Sequence, residues 1–222
     1  MNSLPSLNDI DTLLLDMDGT LLDLRYDNHF WTEHLPLRIS EIHSVPLSEA
    51  TEHVHASLSE IEGTMNWYDV DHWAAHFEVD IVALKNETTD LIRFREGSLE
   101  FLEAIQSIAH LDVYIVTDAH PHVLDIKHQH LDILSHIPKA HSSHRYGYPK
   151  REAEFWNRFS EDVNLDRTKS LFIDDNIHVL AQAASHGIAH LALIEQPDSG
   201  HEREIKCDYV QINHLTALLG QS

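Results

Sequence analysis

A run of three leucines, Leu13-Leu14-Leu15, stops abruptly at Asp16-Met17-Asp18-Gly19-Thr20, and no other stretch constrains the chain as much. A short apolar run without alternation reads as a strand buried on both faces, spanning Thr12 to Asp16. The Gly-Thr pair then turns the chain away. A lone buried carboxylate is expensive, and two separated by one residue are more so unless a cation or a reacting group faces them. An acidic turn capping a helix is the bland alternative. It accounts poorly for five specified residues directly behind a leucine-rich strand.

The pattern changes beyond Leu24. Through about Arg95 the chain is rich in helix formers and is punctuated by Pro36, Pro46 and Gly63. Apolar residues recur at helical spacing in Val54, Leu58 and Ile61, and again in Trp67, Val70, Trp73, Ala74 and Phe77. Pro46 and Ser48 suit a helix start and Gly63 a helix end. After Glu96-Gly97, Ser98 suits the cap of a helix reaching about Ala109. Val113 to Val116 reads as a strand ending at Thr117-Asp118, followed by a helix from His122 to Leu131. A helix after Pro149-Lys150 runs through Phe159, Leu171 to Ile173 is a strand ending at Asp174-Asp175, a further helix ends at Gly187, and Leu191 to Ile194 is another strand. Alternating strands and helices predict an α/β fold: a Rossmann-like, doubly wound parallel sheet with an inserted α-helical cap. The expected division is a core of residues 1–24 and 96–222 and a cap of residues 25–95. Asp16, Thr117 and Asp174/Asp175 all stand where an apolar strand stops, the edge at which open α/β sheets bind ligands.

Composition narrows the partners. With Asp+Glu 37 against Lys+Arg 15, the formal net charge is −22, which argues against long nucleic acids, since their binding is driven by Lys and Arg on phosphates. A small anion remains compatible if a few cations and a metal reverse the sign inside one cleft. No signal peptide and no run of about 18 apolar residues is seen, so a cytoplasmic location without a membrane partner is expected. The lone Cys207 excludes an intramolecular disulfide and a cysteine-based zinc cluster. The 20 histidines invite a metal site; His72 and His76 are one helical turn apart, but no third ligand is evident there or for His120/His122 and His128/His130, so they read as surface histidines.

Asp174-Asp175 at a strand exit, with Asp16 nearby, favours Mg2+ over a simple helix cap, because Mg2+ takes a few carboxylates, waters and a substrate phosphate. Lys150 is either a solvated helix-start lysine or the cation that an anionic intermediate needs. Together Asp16-x-Asp18-Gly19-Thr20, Thr117, Lys150 and Asp174-Asp175 resemble the four motifs of the haloacid dehalogenase-type (HAD) phosphatases. The resemblance implies that Asp16 attacks phosphorus, Asp18 is the acid/base, the Thr117 hydroxyl and Lys150 bind the phosphoryl group, and Mg2+ is held by Asp16, the Asp18 carbonyl and Asp175, with Asp174 ligating or supporting. Asp118 departs from a frequent Asn; either its backbone N–H serves the phosphate or its side chain points away.

The strings Asp27-Asn28-His29-Phe30-Trp31, Met65-Asn66-Trp67-Tyr68, Ala119-His120-Pro121-His122, Tyr146-Gly147-Tyr148-Pro149-Lys150 and Pro197-Asp198-Ser199-Gly200 further resemble a bacterial branch known for GMP/IMP nucleotidase activity. That implies a phosphoric monoester hydrolase acting on purine nucleoside 5′-monophosphates through an aspartyl-phosphate, with no obligate protein partner. Trp31, Trp67, Tyr68 and Trp73 are candidates to stack on the base, although Trp73 fits the apolar stripe of a helix core. A phosphatase for sugar phosphates is the alternative. A phosphomutase, a dehalogenase and a non-catalytic binding module fit less well.

Overall fold

The computed structural model describes residues 4–220. Six parallel strands form one sheet in the order β3-β2-β1-β4-β5-β6: β1 (Thr12–Leu15), β2 (Asp112–Thr117), β3 (Ala140–Ser142), β4 (Ser170–Asp174), β5 (His190–Ile194) and β6 (Val210–Ile212). The leucine run is central, and all its residues are buried. Successive side chains leave opposite faces of a strand. Leu13 and Leu15 therefore pack with Ile115, Leu171 and Ile173 under α6 (Ser98–Ile105), while Leu14 packs on the other face with Val116 and Phe172. That second face is covered by α9 (Ala153–Val163) through Phe155, Trp156 and Phe159, and by α10 (Ile177–His186) through Val179, Leu180 and Ala183.

Between β1 and α6 lie five α-helices: α1 (Arg25–His29), α2 (Leu35–His43), α3 (Leu47–Glu60), α4 (Val70–Phe77) and α5 (Ile81–Asn86). The helices α2 to α5, with Phe30 directly after α1, share an apolar cluster that includes Leu35, Val54, Val70, Trp73, Phe77 and Leu84. After β2 come α7 (Pro121–Leu131) and α8 (Ile133–His136). Neither β3 nor β6 is foreseen from the sequence, since three-residue edge strands with polar residues give no readable pattern.

Two starts differ from expectation. Ser98 is not the cap of α6 but its first residue, since the chain enters through left-handed Gly97 (φ +76°) and Ser98 is buried. The helix expected after Pro149 begins only at Ala153; Pro149 to Glu152 form a turn, with the Glu152 amide donating to the Pro149 carbonyl (2.9 Å). Lys150 is thus held on a turn rather than a helix. Among the described residues no helix is long and apolar enough to cross a membrane.

Candidate active site

Sheet register builds the site. Leu15 pairs with Ile173 on one side and Ile115 on the other, and the Asp16 amide donates to the Ile173 carbonyl (2.9 Å). The next residue of each strand, Asp16, Asp174 and Val116, therefore meets at one edge. This is the point where strand order reverses, the crevice in which α/β sheets place ligands. The chain then closes a tight turn: the Leu21 and Leu22 amides donate to the Met17 carbonyl, and the Gly19 amide to Leu22 (2.8 Å). Gly19 has φ +80°, and a Cβ there would stand 2.8 Å from Asp175 Cγ. Only glycine satisfies both the turn and that close approach.

Lys150 is buried, and its ammonium meets three acceptors: Asp16 Oδ1 (2.6 Å), Asp174 Oδ2 (2.7 Å) and the Val116 carbonyl (3.1 Å). That engages all three of its N–H donors. Two buried contacts hold its loop: the Lys150 amide donates to Asp118 Oδ1 (2.9 Å), and Trp156 Nε1 donates to the Lys150 carbonyl (2.7 Å). The Asp118 side chain is thus committed to the backbone that carries the lysine. Thr117 Oγ1 accepts from the Ala119 amide (3.0 Å), which leaves its own O–H free to donate toward the cavity.

Oxygens of Asp16, Asp174 and Asp175 lie within 4.8 Å of one another. Burial drives the Asp16 carboxyl well above its usual range; Lys150 opposes this, and Asp174, Asp175 and Asp18 add to it. Burial, then the Asp174 charge, pushes Asp175 up to about 7. One lysine does not balance this charge, and clustered hard oxygen donors suit a divalent cation. The three carboxylates differ in freedom. Both Asp174 oxygens are engaged, Oδ2 by Lys150 and Oδ1 by the Asn176 amide (2.7 Å). Among the described residues the Asp175 carboxylate faces only the Arg203 guanidinium, 3.8 Å away, and is the freer of the two to meet a cation.

Asp18 faces a cation the sequence reading missed. Lys127 on α7 donates to Asp18 Oδ1 (2.5 Å) and to Asp27 Oδ2 (2.6 Å), and Lys85 on α5 donates to Asp27 Oδ1 (2.9 Å). Both lysines are buried. A signal existed: Lys85 stands four residues after Ile81 and Lys127 four after Val123, each on the buried stripe of its helix. Burial raises the Asp18 carboxyl, with Lys127 opposing, and the second Asp18 oxygen stays available. Arg95 and Arg203 were also missed. Arg95 donates to the carbonyls of Thr20 (3.2 Å), Gln196 (2.8 Å) and Asn213 (2.8 Å), and Arg203 to those of Asp175 (2.8 Å) and Ile194 (2.6 Å). They pin the loops that carry Asp18 and Asp175.

A cavity of about 240 Å³ opens over these groups, walled on the helical side by Trp31, Trp67 and Tyr68. Trp73 is buried in the helical core and donates through Nε1 to the Trp67 carbonyl (2.9 Å). The Pro197-Asp198-Ser199-Gly200 string fastens the base of the helical segment: Asn28 donates to Asp198 (2.6 Å), the Ser199 amide to Asp23 (3.0 Å), and the Leu24 amide to the Pro197 carbonyl (2.9 Å). His72 and His76 stack, with ring centroids 6.2 Å apart. His120 comes near Asp69 and Asp71, but its Nδ1 accepts from the His122 amide. The proton of the neutral ring then sits on Nε2, which faces the two carboxylates as a donor and not as a metal ligand.

The haloacid dehalogenase-like hydrolase family matches residues 10–187. The GMP/IMP nucleotidase YrfG of Escherichia coli (strain K12) is 37% identical over 192 residues, covering 86% of each chain, and the YrfG of Shigella flexneri matches equally. Among solved structures, a HAD phosphatase from Thermococcus onnurineus superposes with a TM-score of 0.77 at 17% identity, covering 96% of this chain and 99% of that one. The HAD hydrolase YfnB of Bacillus subtilis, solved with magnesium bound, gives 0.67 at 20% identity, covering 94% and 96%. These structural likenesses show the fold. With these groups assembled at one sheet edge and the family match running over most of its length, this chain belongs to the haloacid dehalogenase-like hydrolases.

Proposed function

We propose that this protein hydrolyses purine nucleoside 5′-monophosphates, GMP and IMP, through an aspartyl-phosphate at Asp16. The observation that carries the reading is the convergence of Asp16, Lys150, Asp174 and Asp175 on one cavity walled by aromatic side chains. The 37% identity to a GMP/IMP nucleotidase supports the substrate. Asp16 attacks phosphorus while Lys150 and the Thr117 hydroxyl hold the phosphoryl oxygens, a stabilisation that grows as charge develops. Asp18, whose carboxyl burial holds up, protonates the leaving 5′-oxygen. It then takes a proton from water, which attacks the aspartyl-phosphate and frees inorganic phosphate. Asp16, Asp175 and the Asp18 carbonyl would hold Mg2+, with Asp174 as ligand or support; the ion supplies positive charge against the transferring phosphoryl group. Residues 25–95 act as the cap that excludes bulk water and selects the leaving group.

A panel of monophosphates compared by kcat/KM tests the substrate. GMP and IMP should lead, and a sugar phosphate exceeding both by about tenfold would overturn the assignment.

A further inference from the structure

We infer that Arg151 and Glu62 read the base, Arg151 donating to O6 and N7 of a 6-oxopurine and Glu62 accepting from its N1–H. The inference rests on the nucleotide substrate proposed above. Both residues line the cavity. Among the cations that line it, Lys150 has spent its three N–H groups on Asp16, Asp174 and Val116, and Lys85 is paired with Asp27. Among the described residues the buried Arg151 Nε has no hydrogen-bond partner. That is a costly arrangement for a guanidinium in a chain with an excess of acid, unless a ligand completes it.

Its position selects the base end of the ligand. A Cβ on Gly63 would fall 1.6 Å from Arg151 Nη1 and 2.4 Å from Cζ. The guanidinium is therefore seated against the bare backbone of Gly63, beside Glu62, in the turn that follows α3. That places it against the turn after α3, whereas Thr117 ends β2 and the Lys150 ammonium lies between Asp16 and Asp174, where phosphorus would lie. A guanidinium offers two parallel N–H groups, which match the adjacent O6 and N7 acceptors of guanine and hypoxanthine. A carboxylate beside it matches N1–H, which both bases also present. Adenine reverses this pattern: its 6-amino group would face the arginine donors and its bare N1 the carboxylate. The same two side chains that accept GMP and IMP thus oppose AMP.

The test compares kcat/KM for IMP, GMP, AMP and ribose 5-phosphate in wild type, Arg151→Met, Arg151→Lys and Glu62→Ala. Wild type should prefer IMP and GMP to ribose 5-phosphate; if it does not, the substrate assignment itself fails. Given that preference, Arg151→Met should lower IMP and GMP turnover by about 10- to 100-fold. Ribose 5-phosphate should change by less than about threefold, since a lost base contact leaves the reacting end intact. The IMP/AMP ratio should collapse, Arg151→Lys should recover part of it, and the exposed Glu62→Ala should lower it too. An equal loss on ribose 5-phosphate would move Arg151 to the phosphoryl group or the Lys150 loop and overturn the inference. So would an unchanged IMP/AMP ratio in Arg151→Met and Glu62→Ala, with folding of both checked by thermal unfolding.

Discussion

Lys150 spans the distance between the roles assigned to Asp16 and Asp174. Its ammonium compensates both carboxylates before any substrate arrives, so replacing it removes charge from the resting site as well as from the transition state. Lys150→Met should lower kcat by about 10²- to 10³-fold, the scale set by loss of one preorganised donor, measured as phosphate release. Asp16→Asn should lower it by about 10³-fold or more, as expected when a nucleophile is removed, and near wild-type turnover would refute the aspartyl-phosphate. Asp118 makes a different prediction. Its carboxylate accepts the buried Lys150 amide, so Asp118→Ala strands that donor and should destabilise the fold by about 1–3 kcal/mol. Asp118→Asn keeps an acceptor and should retain most of that stability in denaturant titrations.

Three helices and the turn after Asp16 meet at the Lys127, Asp27 and Lys85 network. Burial raises the Asp27 carboxyl, but Lys127 and then Lys85 outweigh it and hold it at about 2. A carboxylate lowered on folding contributes stability above its unfolded pKa and loses it as pH falls through the folded one. Asp27→Asn, which leaves Lys127 with Asp18 alone and strips the buried Lys85 of its carboxylate partner, should therefore destabilise the protein by about 3–5 kcal/mol near neutral pH. That deficit should narrow as pH drops from about 4 toward 2, where the wild-type Asp27 is protonated as well. Unfolding free energies of both proteins across that range check the sign. Because Lys127 also donates to Asp18, the same helices that stabilise the insert orient the proposed acid/base.

Across the whole molecule the formal net charge is −22, and three of its carboxylates, Asp16, Asp174 and Asp175, come within 4.8 Å of one another. Removing divalent metal with EDTA should abolish phosphate release, and Mg2+ should restore it. Because the cluster exists only in the folded state, a metal at a hundredfold excess over its Kd should stabilise the protein by about 2.7 kcal/mol. For a chain of this size that raises Tm by several degrees. Activity unaffected by EDTA would remove the metal from the proposed chemistry.

Residues whose chemistry contradicts their local setting were legible in the chain alone. Asp16 and Asp18 behind three leucines, Thr117 behind Val113 to Val116, and Asp174-Asp175 behind Leu171 to Ile173 betray a site because no strand needs polar groups at its exit. The same apolar runs disclose the parallel sheet. Lys85, Lys127, Arg95 and Arg203 escaped, since a single cation on a helix or in a loop looks solvated until its neighbours are known. Short β3 and β6 escaped because pairing, and not their own pattern, makes them strands. Tertiary structure alone decided that Lys150 joins Asp16 to Asp174, that Lys127 reaches Asp18, and that Arg151 lies beside Gly63. Each of those contacts joins residues far apart in the chain. Local propensity carries no record of them, because they arise from strand register and from the packing of helices over the sheet edge.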